Sequence, residues 1–246
     1  VIVETLKSCL KHVNGHQIFI MDNGRSPKPT DETKAIALKV DLEINYCYLP
    51  EIGNKSIAIF CGAHWAKLNN YNLSLIIDDD VRLPVNYFVN HKLIDEPNVK
   101  GVVYPVLAQA LSENPSCLIN WLVNQQNLEY EVADLEMTFL DRTNSVIRPH
   151  GASSLWQVDT LISVMFKHNA NFYGDDIQMG LILQYLEKDE NGRSLLKIDM
   201  QNHFKTLVPE TYFGKGGNLY EQRVRSWKEA QFKSFWLLTL KPLFTL

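Results

Sequence analysis

The sequence predicts a single α/β domain, Rossmann-like, with a mostly parallel central sheet flanked by helices. Short apolar runs typical of buried strands alternate with segments of helical periodicity, which indicates βαβ units. The chain has 246 residues, 46% of them hydrophobic. This composition suits one domain with a large core, and neither an internal repeat nor a low-complexity linker divides the chain.

The alternation is clearest in the first hundred residues. We predict a helix in VIVETLKSCLKHV, a buried strand in HQIFIMDNG, a short helix in DETKAIALK and a second strand in INYCYLP. The pattern continues with a longer helix in NKSIAIFCGAHWAKL, a third strand in LSLIIDDD and a fourth in KGVVYPV. After the opening helix, the first two strands are each followed by a helix, which is the order of a parallel sheet.

A long helical pattern dominates the second half of the chain. It runs from Pro115 to about Leu140, and a further helix starts near Asp176. Residues at helical spacing along the long segment are Leu118, Trp121, Leu122, Gln125, Leu128, Val132, Leu135 and Phe139.

Charge and cysteine content exclude some classes of protein. The net charge is -4 and the basic residues form no long runs, so nucleic-acid binding is excluded as the main role. The cysteines are widely spaced and form no CxxC pair, which favours reduced core thiols in a cytosolic setting. They are Cys9, Cys47, Cys61 and Cys117.

Polar residues collect where the predicted strands end. Asp22 follows the first of these strands, the run IIDDDVRLP places three aspartates after the third, and PEIGNKS places Lys55 at a helix start. Ligands of open α/β sheets bind beyond this edge, and a helix N-terminus favours phosphate. Three adjacent carboxylates repel one another and need a positive partner. We therefore predict a nucleoside diphosphate held by Lys55 and by Mg²⁺ on the aspartates.

Each of these features also has a simpler interpretation. Asp22 before Asn-Gly suits a turn, Lys55 suits a solvated helix start, and the aspartate run suits an exposed turn. These interpretations weaken because all three features fall at the same edge of one predicted sheet.

The order of IMDNG, PEIGNKSIA, IIDDDVRLP, YGDDIQMGLIL and EQRVRSW resembles the family 2 glycosyltransferases with the GT-A fold. The resemblance is strongest to the membrane-associated branch that contains chitin, hyaluronan and cellulose synthases, and it covers about Glu4 to Trp227. It implies a metal-dependent, inverting hexosyltransferase that uses Mg²⁺ or Mn²⁺. The implied donor is a nucleotide-sugar, UDP-linked in most of the family, and the implied acceptor is a carbohydrate hydroxyl in polysaccharide synthesis.

The resemblance also implies residue roles on the donor side. Asp22 matches the aspartate that hydrogen-bonds the nucleotide base, and Lys55 the basic residue near the phosphates. Asp78 and Asp80 match the two ends of the DxD motif, with Asp80 as the direct metal ligand and Asp78 as a contact to the donor. Gln222 and Arg225 match the QxxRW motif, whose arginine contacts the diphosphate.

On the acceptor side the resemblance implies a general base and a wall. Asp176 of GDD matches the base, although Asp175 or Asp176 also suits a helix cap. Trp227 of the QxxRW motif lies near the acceptor, and Gly151 in RPHGASSLWQV lies in the acceptor-side wall, where a plain loop is an alternative.

Two features depart from the family pattern. Ser226 separates Arg225 from Trp227, which weakens the Trp227 assignment. The family opens with a strand before its first helix, whereas this sequence opens in that helix. We therefore expect a catalytic domain over 1–230 whose first strand lies upstream.

The segment 231–246 reads QFKSFWLLTLKPLFTL. Its apolar residues, flanked by lysines, predict an amphipathic or membrane-proximal tail, and a closing core helix is the alternative. We expect membrane association, through segments outside these residues, with the catalytic domain on the cytosolic side.

Two alternative functions stay open. One is a nucleotide-sugar-binding module without catalysis, which the irregular QxxRSW allows. The other is a nucleotidyltransferase, which also uses carboxylates and Mg²⁺ but has no need of the downstream GDD and QxxR residues.

Overall fold

The computed structural model describes residues 1–144, 146, 148–169, 175–186, 188–189, 192–193, 195–213 and 218–220, with backbone alone at 175, 185–186, 188–189 and 192–193. Its helices are α1 (Ile2–Cys9), α2 (Thr33–Val40), α3 (Lys55–Leu68), α4 (His91–Ile94), α5 (Cys117–Arg142), α6 (Val158–Lys167) and α7 (Asp175–Leu186). Its strands are β1 (Phe19–Asp22), β2 (Asn45–Tyr48), β3 (Leu73–Ile77), β4 (Val81–Arg82), β5 (Val99–Val103), β6 (Val106–Gln109), β7 (Ser153–Gln157), β8 (Lys188–Asp189), β9 (Gly192–Arg193), β10 (Leu195–Ile198) and β11 (Phe204–Leu207).

The central sheet has four strands in the order β10-β5-β7-β3. β10 and β5 are parallel, whereas β7 is antiparallel to both β5 and β3. β1 and β2 form a separate parallel pair, and β11 pairs with β6 in parallel and with β4 antiparallel. The α/β prediction is confirmed, and the sheet is partly parallel because β7 runs against its neighbours.

The strand β7 occupies part of the segment assigned to the acceptor-side wall. Residues 153–157 form a central strand, and the loop before them ends at Ala152. Its serines pair internally: Ser153 Oγ donates to the Tyr104 carbonyl at 3.2 Å, and Trp156 Nε1 donates to Ser154 Oγ at 3.0 Å. Because these hydroxyls are satisfied, polar residues can occupy a buried strand and obscure its sequence pattern.

The predicted fourth strand is in fact two. Val99–Val103 and Val106–Gln109 are separate strands, divided at Tyr104 and Pro105. Proline has no N–H to donate, so the ladder ends there and the chain enters a second sheet.

Adjacent residues of β7 divide the core between the two faces of the sheet. Trp156 packs with α6 and α7 residues such as Leu161 and Leu183. Leu155 points to the other face and packs in the cluster that holds Tyr104 and Phe204. Strand alternation therefore buries both sides of the sheet beneath helices and loops.

The long helix α5 is apolar on two faces. Its domain-facing side buries Leu122, Val123, Gln126, Asp134 and Met137. The other apolar residues of the predicted series are exposed: Leu118, Trp121, Leu128, Val132, Leu135 and Phe139. Except for Leu122, which is buried, the apolar residues of the series identified in the sequence therefore lie on the outer surface of the helix.

Within the described residues, no helix has both the length and the apolar content needed to cross a membrane. The tail 231–246 lies outside those residues, so membrane association stays a prediction.

Asp134 is an acidic residue inside this packing. Asp134 is only 6% exposed, and its Oδ1 atom has no hydrogen-bond partner. Burial raises the pKa of Asp134 to about 7, against the opposing effect of the Arg148 charge. Ionisation in the folded state is therefore unfavourable relative to the unfolded chain.

The raised pKa predicts a pH-dependent stability. The folded protein binds the Asp134 proton more tightly than the unfolded chain, so the penalty is absent below the ordinary value of 3.8 and complete above about 7. Asp134→Asn should remove that dependence and raise the free energy of unfolding at pH 8 by up to about 4 kcal/mol. Urea unfolding between pH 4 and pH 8 measures the pH dependence of the free energy of unfolding. Glu113→Gln, at an exposed side chain, is the control and should keep the wild-type dependence. An equal pH slope in the wild type and Asp134→Asn would contradict the assignment.

Candidate active site

The start of α3 presents Lys55 toward the sheet edge. Asn54 caps the helix, because its side-chain oxygen accepts from the backbone N–H of Ser56 at 2.9 Å and of Ile57 at 3.3 Å. Gly53 adopts a φ of +51° just before the cap, a conformation that favours glycine. The turn and cap together fix the first residue of the helix, which is Lys55.

The ammonium group of Lys55 joins two other elements. It donates to the carboxylate of Asp78 at the end of β3, and to the carbonyl oxygen of Gly151 at 2.8 Å. The sequence predicts a divalent cation as the positive partner of the aspartates, and for Asp78 the structure supplies Lys55. An ammonium has three N–H donors, and these contacts use two of them.

Asp176 lies against the same glycine. A Cβ atom at Gly151 would be 3.6 Å from Asp176 Oδ2, which is van der Waals contact. Asp176 Oδ1 accepts from the backbone N–H of Ile177 at 3.0 Å, in the first turn of α7. Asp78, Lys55, Gly151 and Asp176 therefore form one group, although they come from four elements.

Asp80 occupies a more buried position than Asp79, which is exposed. Its carboxylate accepts from Thr206 Oγ1 at 3.2 Å, and its carbonyl accepts from the backbone N–H of Leu207 at 3.3 Å. Burial raises the pKa of Asp80, and the negative charge of Asp78 raises it further. This corner of the site therefore favours a positive charge.

The carboxylates fit a divalent cation only in part. The described residues contain no group of three or more His, Cys, Asp or Glu side chains placed to hold a metal ion. Asp80 and Asp78 provide hard oxygen donors, the kind that Mg²⁺ and Mn²⁺ prefer. A site of this type is completed by substrate phosphates, as is usual for Mg²⁺.

Asp22 lies on the neighbouring two-stranded sheet. It ends β1, and its Oδ2 accepts a hydrogen bond of 2.6 Å from the hydroxyl of Tyr46 on β2. Burial raises the pKa of Tyr46, and its hydrogen bond to Asp22 raises it further, so the hydroxyl stays a donor. The carboxylate of Asp22 is thereby held in a fixed orientation at the strand end.

The structure groups only some of the predicted site residues. Gln222, Arg225 and Trp227 lie outside the described residues. His150 packs edge-to-face on Tyr130, with ring centroids 5.7 Å apart.

Two further contacts were not predicted from the sequence, Tyr46 on Asp22 and Thr206 on Asp80. Only strand register could have indicated them: Tyr46 lies beside Ile20, and Thr206 beside Val81.

Comparison with known proteins identifies the fold. No model of a known protein family matches the chain, and no curated protein matches it. Among solved structures, the mannosyltransferase PcManGT from Pyrobaculum calidifontis, in complex with GDP-Man and Mn²⁺, aligns over 95% of this chain with a TM-score of 0.57 and 13% identity. S. aureus TarS 1-349 in complex with UDP aligns over 98% with a TM-score of 0.50 and 13% identity.

The alignments cover 60% of the PcManGT chain and 72% of the TarS chain. At 13% identity, the structural match establishes a shared fold and nothing finer. The chain therefore has an α/β fold that a mannosyltransferase also uses.

The Lys55–Asp78 pair should be energetically coupled. A double-mutant cycle with Lys55→Met and Asp78→Asn should give a coupling of about 1 kcal/mol, since both groups are partly exposed and solvent screens the pair. Lys67 and Asp159 form a more exposed pair, with side chains 56% and 74% accessible. The matched cycle Lys67→Met with Asp159→Asn should give about 0–0.5 kcal/mol.

Both cycles are measured by urea unfolding at pH 7. Equal couplings in the two cycles would show that the site pair has no more energetic weight than a surface ion pair.

Proposed function

We propose that this chain is an inverting glycosyltransferase that moves a sugar from a nucleotide-sugar, UDP-linked by preference, to a carbohydrate hydroxyl. One observation carries the proposal: the Lys55 ammonium contacts both Asp78 and the Gly151 carbonyl. A donor-side carboxylate is thereby joined to the loop on which Asp176 rests. The resemblance to family 2 glycosyltransferases assigns these residues to donor and base.

The comparisons support a nucleotide-sugar donor. One protein with this fold is a mannosyltransferase in complex with GDP-Man, and another is in complex with UDP. Both ligands contain a nucleoside diphosphate, the group whose negative charges Lys55 would contact at the start of α3.

The transfer needs a base and a stabilised leaving group. The Asp176 carboxylate takes the proton of the acceptor hydroxyl while the hydroxyl oxygen bonds to the anomeric carbon. The bond from that carbon to the diphosphate oxygen breaks, and its electron pair leaves with the nucleoside diphosphate. Attack on the face opposite the leaving group inverts the anomeric centre.

The remaining Lys55 donor can stabilise the leaving group. Two of its N–H groups hold Asp78 and Gly151, and the third would face the departing diphosphate, where negative charge increases. Fixing the ammonium in advance avoids reorganisation during the reaction. Arg225 would add a second positive charge, as the family motif implies.

Asp80 would hold a divalent cation together with the donor phosphates, while Asp78 would contact the donor. When bound, Mg²⁺ or Mn²⁺ supplies positive charge to the diphosphate. Thr206 orients the Asp80 carboxylate for this role through its 3.2 Å hydrogen bond.

A donor panel tests the function directly. The protein is incubated with Mn²⁺ or Mg²⁺, short oligosaccharide acceptors and several UDP- and GDP-sugars, and release of nucleoside diphosphate is measured. Acceptor-dependent release supports glycosyl transfer. Binding of a nucleotide-sugar without turnover would instead indicate a binding module, and pyrophosphate release a nucleotidyltransferase.

Asp176→Asn should abolish transfer but not binding. Loss of a general base typically lowers the rate by about 10²–10⁴-fold, while affinity for UDP, measured by calorimetry, stays near that of the wild type. Asp159→Asn is the matched control, because Asp159 is also an acidic residue in the first turn of a helix. Near-normal transfer by a folded Asp176→Asn protein would move the base elsewhere, first to Asp175.

Asp80→Asn should weaken Mn²⁺ and UDP binding together, because one ion would contact both the carboxylate and the diphosphate. We expect the affinity for UDP in Mn²⁺ to fall toward its value in EDTA. Asp79→Asn, at an exposed side chain, should leave the metal dependence of binding intact. If UDP bound equally well with and without metal in all three proteins, the ligand assignment would be wrong.

A further inference from the structure

Helix α1 places polar side chains against the segment 79–84, which follows Asp78 and contains β4. Thr5 and Ser8 lie on α1 and are only 4% and 8% exposed, and His12 lies in the turn after the helix. Buried hydroxyl groups are hydrogen-bonded in proteins, because an unpaired one is unfavourable. The partners of the Thr5 and Ser8 hydroxyls therefore show what this side of the helix supports.

The Thr5 hydroxyl binds a backbone group that is distant in sequence. A Ser or Thr hydroxyl inside a helix commonly donates to a carbonyl three or four residues earlier in the same helix. Ser8 does so, since its Oγ donates to the Thr5 carbonyl at 2.7 Å. Thr5 Oγ1 donates instead to the carbonyl of Asp79, also at 2.7 Å. The Thr5 hydroxyl thereby fixes the aspartate run to α1.

The other end of the segment 79–84 also contacts α1 and the turn after it. Ser8 Oγ accepts from the backbone N–H of Leu83 at 3.1 Å, and His12 Nε2 donates to the Pro84 carbonyl at 3.0 Å. Hydrogen bonds from one helix and its following turn therefore hold both ends of the segment.

Asp80 is consequently held on both sides in the chain. The Asp79 carbonyl that Thr5 binds belongs to the peptide group immediately before Asp80. The carbonyl of Asp80 accepts from the backbone N–H of Leu207 at 3.3 Å, and Thr206 donates to its carboxylate at 3.2 Å. The position of the Asp80 carboxylate therefore depends on α1 as well as on β11.

Another side of α1 packs toward the strand that ends at Asp22. Leu6 lies in a buried cluster against which Ile20 of β1 packs. A displacement of the whole helix would therefore disturb β1 together with the segment 79–84, whereas loss of the Thr5 hydroxyl alone would disturb only the segment.

We propose that Thr5 and Ser8 are positioning residues, which fix the backbone around Asp80 so that its carboxylate is placed to bind a divalent cation. Both side chains are buried and act through the segment 79–84. The inference rests on the proposed function, because the cation and the nucleoside diphosphate belong to that function.

Two substitutions of Thr5 separate its hydroxyl from its volume. Thr5→Val keeps the volume and removes the hydroxyl, whereas Thr5→Ser keeps the hydroxyl and removes a methyl group. The measured quantity is the metal enhancement, defined as the affinity for UDP in Mn²⁺ divided by the affinity in EDTA, both by calorimetry. We expect Thr5→Val to lower the metal enhancement by about 3- to 10-fold, the effect of one hydrogen bond. Thr5→Ser should keep the wild-type value, although the lost methyl group lowers its stability.

Thr138→Val is the matched control. The Thr138 hydroxyl also donates to a backbone carbonyl at 2.7 Å, that of Asp134, but it lies on α5. Its metal enhancement should equal that of the wild type. The affinity for UDP in EDTA should be unchanged in all three variants, because β1 and the residues at its end stay in place.

Hydrogen exchange provides a second measurement that needs no ligand. Mass spectrometry on peptides covering 79–84 reports how firmly the segment is held. We expect exchange about 3- to 10-fold faster in Thr5→Val and in Ser8→Ala, which removes the acceptor of the Leu83 N–H. Peptides from α3 should exchange at the wild-type rate in both variants.

Several outcomes would overturn the positioning role and leave the proposed function standing. One is a wild-type metal enhancement in Thr5→Val, and another is unchanged exchange of 79–84 in Thr5→Val and Ser8→Ala. A third is a loss of enhancement that Thr5→Ser shares, which would assign the effect to packing. Equal affinity of the wild-type protein for UDP in Mn²⁺ and in EDTA would instead contradict the metal role of Asp80 and this inference together.

Discussion

The contact of the Lys55 ammonium with Asp78 and the Gly151 carbonyl organises this end of the molecule. It links the start of α3, the end of β3 and the loop before β7, three elements that are distant in sequence. The partners are a carboxylate and a carbonyl, so one flexible lysine side chain is held by two different acceptors. The loop carrying Gly151 is in turn the surface on which Asp176 rests. The proposed sugar transfer therefore depends on that lysine.

The site contains several carboxylates, and positive side chains balance only part of their negative charge. Lys55 neutralises Asp78, whereas Asp80 has a neutral hydroxyl partner in Thr206 and a raised pKa. Uncompensated carboxylates are unfavourable in the resting protein and become favourable when a cationic or metal-bound ligand arrives. This imbalance favours the proposed role of the aspartate run in ligand binding over that of a surface turn.

The apolar side chains of this domain are buried at the central sheet but exposed along one face of α5. Both faces of the central sheet are covered, with Trp156 and Leu155 pointing in opposite directions into two clusters. The helix α5 instead is apolar toward the domain and toward the outside. A helix that is apolar on two sides is typical of an inner layer of a protein, yet the outer face of α5 is exposed among the described residues.

The sequence by itself determined the order of elements and the candidate residues at strand ends. Periodicity located β1, β2, α3, β3 and α5, because local spacing reflects which side of an element is buried. The candidate site residues came from their positions at loops and helix starts and from family resemblance. They are Asp22, Lys55, Asp78, Asp80, Gly151 and Asp176. The roles of Gln222, Arg225 and Trp227 stay predictions, since these residues lie outside the described part of the chain.

Only the tertiary structure decided which of these residues meet. The antiparallel strand β7, with its internally paired serines, was invisible to a periodicity argument, yet it brings Gly151 beside Lys55. The pairing of Tyr46 with Asp22 depends on the register between two strands. The periodicity of the sequence showed an apolar series in α5 but did not show which face of the helix packs on the domain. Contacts between distant segments depend on how layers pack, and no local pattern contains that information.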